Sequence, residues 1–123
     1  MKFTLEGGSS ANLIRAYGAD EIRVGEQSIR SSCIVTADSL VTRWEPATFD
    51  DLMPGHLEPI MALHPELVLL GTGATQRFAP AAIRSAFTQR GIGLESMNLG
   101  AACRTFNVLV QEDRRVAAVL FLR

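Results

Sequence analysis

The amino-acid sequence predicts a three-layer α/β domain built around a mostly parallel central sheet. Residues 67–70 and 116–122 are continuous apolar runs, which is typical of strands covered on both faces. Two segments with helical spacing of apolar residues lie between them, separated by a short β segment at 92–97. This β-α-β-α-β order predicts parallel strands joined by right-handed crossovers. One domain is expected to cover residues 1–123.

Both helices of this C-terminal half carry terminal signals. Pro80 is expected in the first turn of the first helix and Gly91 just after its last turn. Asn98 is expected to cap the second helix. The apolar stripe predicted for that helix contains Leu99, Ala102, Cys103, Phe106, Leu109 and Val110.

The N-terminal half is richer in β patterns. Residues 21–24 and 27–30 flank Gly25-Glu26, which predicts an antiparallel hairpin. Residues 33–36 and 40–44 predict two further strands, and residues 49–52 and 57–63 predict short helices, the second ended by Pro65. The N-terminal strands are expected to add antiparallel strands to the sheet or to form a second small sheet.

The charge balance, the apolar runs and the cysteine spacing argue against several classes of protein. The net charge is −1, with twelve basic and thirteen acidic residues, so the basic excess typical of nucleic-acid binders is absent. The longest apolar run, residues 116–122, is too short to span a membrane, and residues 1–8 contain no apolar run of signal-peptide length. Two cysteines without CxxC spacing suit a reducing compartment. A cytoplasmic location is therefore expected.

The tripeptide Gly71-Thr72-Gly73 follows a predicted strand, where open α/β sheets place ligands. Its amides and the Thr72 hydroxyl could bind an anion, with Arg77 nearby. The dinucleotide and phosphate-loop patterns are both incomplete here, so a tight turn that requires small residues is the alternative.

A second polar group lies on the last strand and helix. Glu95 would be a general base if desolvated, or would pair with Arg104 or Arg115 at a sheet edge, which is the favoured interpretation. The polar residues Arg104, Thr105 and Asn107 either line a cleft or fix the last helix to the rest of the fold.

Complete catalytic and metal-binding patterns are absent from the sequence. Cys103 shares the apolar stripe of its helix, so burial is favoured over a catalytic thiolate. His56 and His64 are eight residues apart, which is too far for a shared metal ion on one helix. We expect no catalytic residue, no metal and no cofactor.

Four segments together resemble a known family: Gly71-Thr72-Gly73, residues 91–97, residues 101–109 and residues 115–118. The family includes the mitochondrial NADH dehydrogenase (complex I) assembly factor three, an adipogenesis-associated protein and many uncharacterised bacterial and archaeal members. The resemblance implies a compact three-layer α/β fold with no established reaction or cofactor, and a branch that acts through protein partners in assembly of a respiratory complex.

Two hypotheses follow for the function. The first is a non-catalytic protein-interaction or assembly-factor-like module. The alternative is a binder of, or an enzyme acting on, a small anionic metabolite. The residues expected at such a ligand site are Gly71, Thr72, Gly73, Arg77, Glu95, Arg104, Thr105 and Asn107.

Overall fold

The computed structural model describes residues 11–123, which form two β-sheets and three α-helices. The strands are β1 (Ile14–Tyr17), β2 (Ile22–Val24), β3 (Gln27–Ile29), β4 (Cys33–Val35), β5 (Leu40–Val41), β6 (Leu67–Thr72), β7 (Gly93–Met97) and β8 (Val116–Phe121). The helices are α1 (Glu58–Met61), α2 (Ala81–Gln89) and α3 (Leu99–Gln111), preceded by two short 3-10 helices at Phe49–Asp51 and Pro54–His56.

The smaller sheet is antiparallel, in the order β1-β2-β3. The predicted hairpin is confirmed: β2 and β3 pair around the two-residue turn Gly25-Glu26, and Gly25 has a φ of +58°. Strand β1 was not predicted from the sequence, and only Ile14 of its four residues is buried. The β1–β2 ladder contains an irregularity between Ile14 and Ala16.

The larger sheet has the order β5-β4-β8-β6-β7. Strand β6 is parallel to both β7 and β8, which confirms the parallel core predicted from the C-terminal half. Strand β4 is antiparallel to β8 and to β5, so the N-terminal segments both extend this sheet and form a second one. Every residue of β8 is buried, as the apolar run at 116–122 predicts for a strand in the middle of a sheet.

Two apolar clusters fill the space on opposite faces of the larger sheet, which gives the three layers. On one face, α3 and the smaller sheet pack over Leu69, Ala118 and Leu120. On the other face, α1, α2 and the first 3-10 helix pack over Leu70 and Val119. The alternation of side chains along β6 and β8 sends neighbouring residues to opposite layers.

Two predicted segments are shorter than expected. The strand predicted at 40–44 ends at Val41, because the Trp44 indole turns inward, donates a hydrogen bond to the His56 carbonyl at 3.0 Å and lies 5.6 Å from the Phe121 ring. The helix predicted from Phe49 is a 3-10 helix that ends before Pro54.

The terminal signals of the long helices are confirmed, except that Pro80 lies at the N-cap of α2 rather than in its first turn. Pro80 immediately precedes α2, and Gly91 follows its end with a φ of +70°. The Asn98 side chain accepts a hydrogen bond from the Ala101 N–H at 2.9 Å and so caps α3. Gly71 lets α3 lie close to β6, since a Cβ there would be 3.2 Å from the Ala102 Cβ.

Candidate functional site

Thr72 organises the loop after β6. Its buried hydroxyl accepts the Arg77 N–H at 3.0 Å and lies 2.7 Å from the Thr75 carbonyl and 3.1 Å from the Met97 carbonyl. The single hydroxyl hydrogen serves these two carbonyls. The polar capacity of Thr72 is therefore used within the protein, and the residue holds the loop closed against the end of β7.

Gly73 joins this loop to the N-terminus of α3. Its φ is +83°, and a Cβ at this position would lie 2.6 Å from the Arg123 carbonyl carbon. Only glycine fits both constraints. The Gly73 carbonyl accepts the Leu99 N–H at 2.7 Å, so it satisfies the first amide of the helix. Within residues 11–123, the Gly100 N–H is the amide of this first turn that has no acceptor.

Tyr17 and Arg104 complete this corner of the molecule. Arg104 donates from Nη1 to the Tyr17 hydroxyl, and its guanidinium carbon lies 6.0 Å from the Tyr17 ring centre. The ring crosses the first turn of α3, because a Cβ at Gly100 would be 2.8 Å from Tyr17 Cε1. A hollow of about 190 Å³ lies here and is lined by Tyr17, Gly18, Ala19, Gly73, Ala74, Asn98, Leu99, Gly100 and Leu122. We call it the Tyr17 hollow.

Arg77 does not join the Tyr17 hollow. Its guanidinium pairs with the Asp50 carboxylate and lies 4.7 Å from the centre of the Phe49 ring. Phe49 belongs to the apolar cluster on the face of the sheet opposite α3. Arg77 thus connects the loop after β6 to the first 3-10 helix.

The predicted pairing of Glu95 is wrong. Glu95 is exposed on β7, an edge strand, and in the described part of the chain its carboxylate makes no ion pair with Arg104 or Arg115. Arg104 contacts Tyr17 instead, and the Arg115 N–H bonds to Glu66 at 3.0 Å. The exposure of Glu95 also removes the desolvation that a general base requires.

Asn107 is a structural residue that fixes α3 to β1. Its Oδ1 accepts the Ile14 N–H at 2.8 Å, and its Nδ2 donates to the Ile14 carbonyl at 2.8 Å. The half-buried Thr105 lies two residues before it on the same helix. Of the predicted ligand residues, the structure therefore brings Gly73 and Arg104 to one corner, beside the buried Gly71 and Thr72. Arg77, Glu95 and Asn107 lie outside this corner.

Sequence reasoning missed Tyr17 and Gly100. A glycine in the first turn of a helix was the available signal, because glycine is unfavourable there unless something approaches closely. Tyr17 lies in a strand that the sequence did not predict. Its contact with Arg104 joins residues 87 positions apart, which no local pattern reveals.

Both cysteines are buried in the α3 layer and are free thiols. Burial raises the pKa of Cys33 to about 12, and the neighbouring Cys103 adds to the effect. Burial also raises the pKa of Cys103 to about 12, against the opposing charge of Arg104. Thiols with such pKa values stay protonated at neutral pH, so neither is a thiolate nucleophile.

A larger groove of about 710 Å³ lies at the opposite end of α3, and the sequence did not point to it. Its wall combines the β4–β5 turn, the residues before β6 and the residues between α3 and β8. Its charged lining residues are Asp38, Asp113, Arg114 and Arg115. Glu66 holds this wall together by accepting the Arg115 N–H at 3.0 Å and pairing with Arg114 at 3.3 Å.

Metal ligands do not cluster in the described residues. Among residues 11–123, no group of three or more His, Cys, Asp or Glu side chains is arranged to hold a metal ion. His56 uses its Nδ1 to accept the Met53 N–H at 3.0 Å, which leaves Nε2 near Glu45 at 3.8 Å.

Comparison with known proteins identifies the family. The family described as "Protein of unknown function (DUF498/DUF598)" matches residues 14–121. The chain belongs to the DUF498 family. This confirms the resemblance inferred from the sequence. A Xanthomonas campestris protein whose structure was determined by NMR is 38% identical to this chain, with a TM-score of 0.83, and the match covers 99% of this chain and 92% of that protein.

Two curated relatives match this chain over part of their own length. The bovine NADH dehydrogenase [ubiquinone] 1 alpha subcomplex assembly factor 3 is 32% identical over 113 residues, which are 89% of this chain and 60% of the relative. A Francisella tularensis protein named "13 kDa major membrane protein" is 37% identical over 65 residues, which are 53% of each chain. The chain thus spans between one half and two thirds of the length of these two relatives.

The helices of the described residues are short. None of them, over residues 11–123, is both long and apolar enough to cross a membrane. The prediction that residues 1–8 contain no signal peptide falls outside the described residues.

Proposed function

We propose that this DUF498 protein is a non-catalytic protein-interaction module of the assembly-factor type. The observation that carries the proposal is Phe78, whose side chain is 77% exposed on a loop that is otherwise held in place. An aromatic side chain that is exposed on an ordered backbone has the form of an interface anchor, which a pocket of a partner would bury.

The loop that carries Phe78 is fixed on both sides of this residue. Arg77 is bonded through its backbone to Thr72 and through its side chain to Asp50, and Ala79 is buried. Met53, three residues after Asp50, is 59% exposed. Phe78 thus follows one member of this ion pair directly in sequence, and Met53 follows the other by three residues. A pre-ordered surface of this kind loses little conformational entropy when it binds.

The relatives support a partner of a particular class. The bovine relative is named as an assembly factor of NADH dehydrogenase. We infer that the partner here is a subunit or assembly intermediate of a respiratory complex, contacted from the cytoplasm. The non-catalytic part of the proposal has separate support, since Thr72 and Asn107 make hydrogen bonds within the protein and both cysteines are buried.

The proposal is tested by comparing Phe78→Ser with wild type in quantitative affinity capture from a lysate of the source organism. We expect wild type to retain a specific partner and Phe78→Ser to lose at least about tenfold in affinity, as for a central interface anchor. Val108→Ser is the matched control, since Val108 is exposed on α3, away from this loop. Equal capture by wild type and Phe78→Ser would contradict the proposal.

The Tyr17 hollow supports a second candidate function, binding of a small anion. The Gly100 N–H, the N-terminus of α3 and the nearby Arg104 guanidinium provide positive potential at one corner. Inorganic phosphate and a mixture of small carboxylates are the probes, and a rise in melting temperature is the measure. Arg104→Ala should reduce that rise. No rise with any probe removes this candidate.

A further inference from the structure

We propose that the edge of β7 (Gly93–Met97) that is unpaired within residues 11–123 binds an extended segment of a partner protein that places a Lys or Arg opposite Glu95. The inference rests on the proposed interaction function and names a second surface for it. Unpaired N–H and C=O groups along an edge strand are a template for another strand.

The other sheet edges in the described residues are short or covered. Strand β1 has its outer side bonded by Asn107, β5 has only two residues, and β3 has three. Strand β7 has five residues, all in register with β6, and contains neither proline nor a bulge. It is therefore the edge that a partner strand can extend.

The hydrogen-bond pattern identifies the groups that face outward. The Gly93 N–H bonds to the Glu66 carbonyl at 3.1 Å, so Gly93 directs its backbone groups toward β6. Backbone groups alternate in direction along a strand. The N–H and C=O groups of Leu94 and Ser96 therefore point to the open side, on either side of Glu95.

Charge selects the occupant of this edge. In antiparallel pairing through Leu94 and Ser96, Glu95 occupies a non-hydrogen-bonded position, where opposite side chains are closest. Centred pairing of two copies of β7 would place Glu95 opposite Glu95, and like charges opposite each other are destabilising. Shifted registers that avoid this contact shorten the ladder. A partner strand with a basic residue opposite Glu95 fits the edge better than a second copy does.

The probe is a short synthetic peptide of alternating Thr and Val with one central Lys, compared with the same peptide carrying Glu. We expect the Lys peptide to bind about fivefold more tightly by fluorescence anisotropy. It should also slow hydrogen exchange of the Leu94 and Ser96 amides. Equal binding of the two peptides, or unchanged exchange at both amides, overturns the inference.

Variants separate this edge from the rest of the surface. Glu95→Lys should reverse the preference between the peptides, and Ser96→Pro should abolish binding because it removes an outward N–H. Glu26→Lys, in the exposed β2–β3 turn, is the control and should bind as wild type does. Binding by Ser96→Pro equal to that of wild type overturns the inference, as does dimerisation of wild type through β7.

The two proposals fail in different ways. Phe78→Ser should bind the Lys peptide as wild type does, because Phe78 lies outside β7. One result would separate the two proposals: Phe78→Ser loses the lysate partners, whereas Glu95→Lys and Ser96→Pro both retain them. This result would overturn the β7 inference and would still support the proposed function.

Discussion

The amide of Asn107 pairs with both backbone groups of Ile14, 93 residues earlier in the chain. Both hydrogen bonds measure 2.8 Å, so the side chain acts as the neighbouring strand that the outer side of β1 otherwise lacks. This contact explains why an asparagine, which is not intrinsically favoured within a helix, occupies the middle of α3. It also joins the smaller sheet to the layer that covers the larger one.

Replacing Asn107 with Ala should lower the free energy of unfolding by about 2–3 kcal/mol, because both partly buried backbone groups of Ile14 lose their partner. Urea denaturation measures the change. Gln111→Ala, at an exposed position of the same helix, is the control and should change the value by less than about 0.5 kcal/mol. A loss no larger than that of the control would contradict the structural role.

Asn107→Asp tests the donor half of the same contact. A carboxylate at this position faces the Ile14 carbonyl and repels it, whereas a protonated carboxyl donates to it. The pKa of the introduced carboxyl should therefore be higher in the folded state than the unfolded value of about 3.9. The protonated carboxyl of Asp at this position therefore stabilises the fold below the unfolded pKa, and this stabilisation is lost as the pH rises through the folded pKa. A variant whose stability relative to wild type does not change with pH excludes this geometry.

Thr72→Val should open the loop after β6. Valine has a similar shape but no hydroxyl, so the Arg77 N–H loses its acceptor inside the protein. We expect a loss of about 1–3 kcal/mol and faster hydrogen exchange at the Arg77 amide. Thr72→Ser keeps the hydroxyl and should retain the protection of that amide. Equal exchange in both variants would show that the hydroxyl does not hold the loop.

The parallel core was predictable because its signals are local. Each signal determines the structure of residues close to it in sequence. These signals are the apolar runs at 67–70 and 116–122, the proline before α2 and the asparagine before α3. The extent of β5 was not predictable, because Trp44 leaves the strand direction to contact Phe121, which is distant in sequence.

The candidate site was only partly predictable for the same reason. Position 73 was expected to need a small residue for a tight turn, and the φ of +83° at Gly73 agrees with that expectation. The second constraint, the nearby carbonyl carbon of Arg123, comes from a distant part of the sequence. Glu95 was expected to pair with an arginine. In the structure, Arg104 instead donates a hydrogen bond to the Tyr17 hydroxyl, and the Arg115 N–H donates one to the Glu66 carboxylate. A sequence names the polar groups, whereas the topology decides their partners.

Glu66 should stabilise the fold at neutral pH, and this stabilisation should be lost in acid. The hydrogen bond from the Arg115 N–H, with a further contribution from Arg114, lowers the pKa of Glu66 below its ordinary value. A lowered folded pKa gives stability that is present above the unfolded pKa of about 4.3 and lost as the pH falls through the folded pKa. The melting temperature of wild type should therefore exceed that of Glu66→Gln at pH 7, and the difference should shrink in acid.

Arg114→Gln is the comparison for this prediction. It removes the ion pair but leaves the Arg115 N–H in place, so it should reduce the pH dependence without abolishing it. A difference between wild type and Glu66→Gln that is constant from neutral to strongly acidic pH would contradict the assignment.

The two buried thiols predict a loss of stability in alkali. The pKa of both Cys33 and Cys103 is raised to about 12, whereas an unfolded thiol has a pKa of roughly 8.5. A raised folded pKa gives stability that is complete below the unfolded pKa and is lost as the pH rises toward the folded one. Above about pH 9, each thiol should lower the free energy of unfolding by about 1.4 kcal/mol per pH unit.

Alanine variants isolate this effect from the other groups that titrate in alkali. Lys2 and Tyr17 are present in every variant, so the difference in slope between wild type and Cys33→Ala reports the Cys33 thiol alone. Each alanine substitution should reduce the slope by about 1.4 kcal/mol per pH unit, whatever it does to stability at pH 7. Native protein should also react with a thiol reagent far more slowly than unfolded protein. A double variant with the wild-type slope would mean that the thiols ionise within the folded state, and burial would then not be the property that controls them.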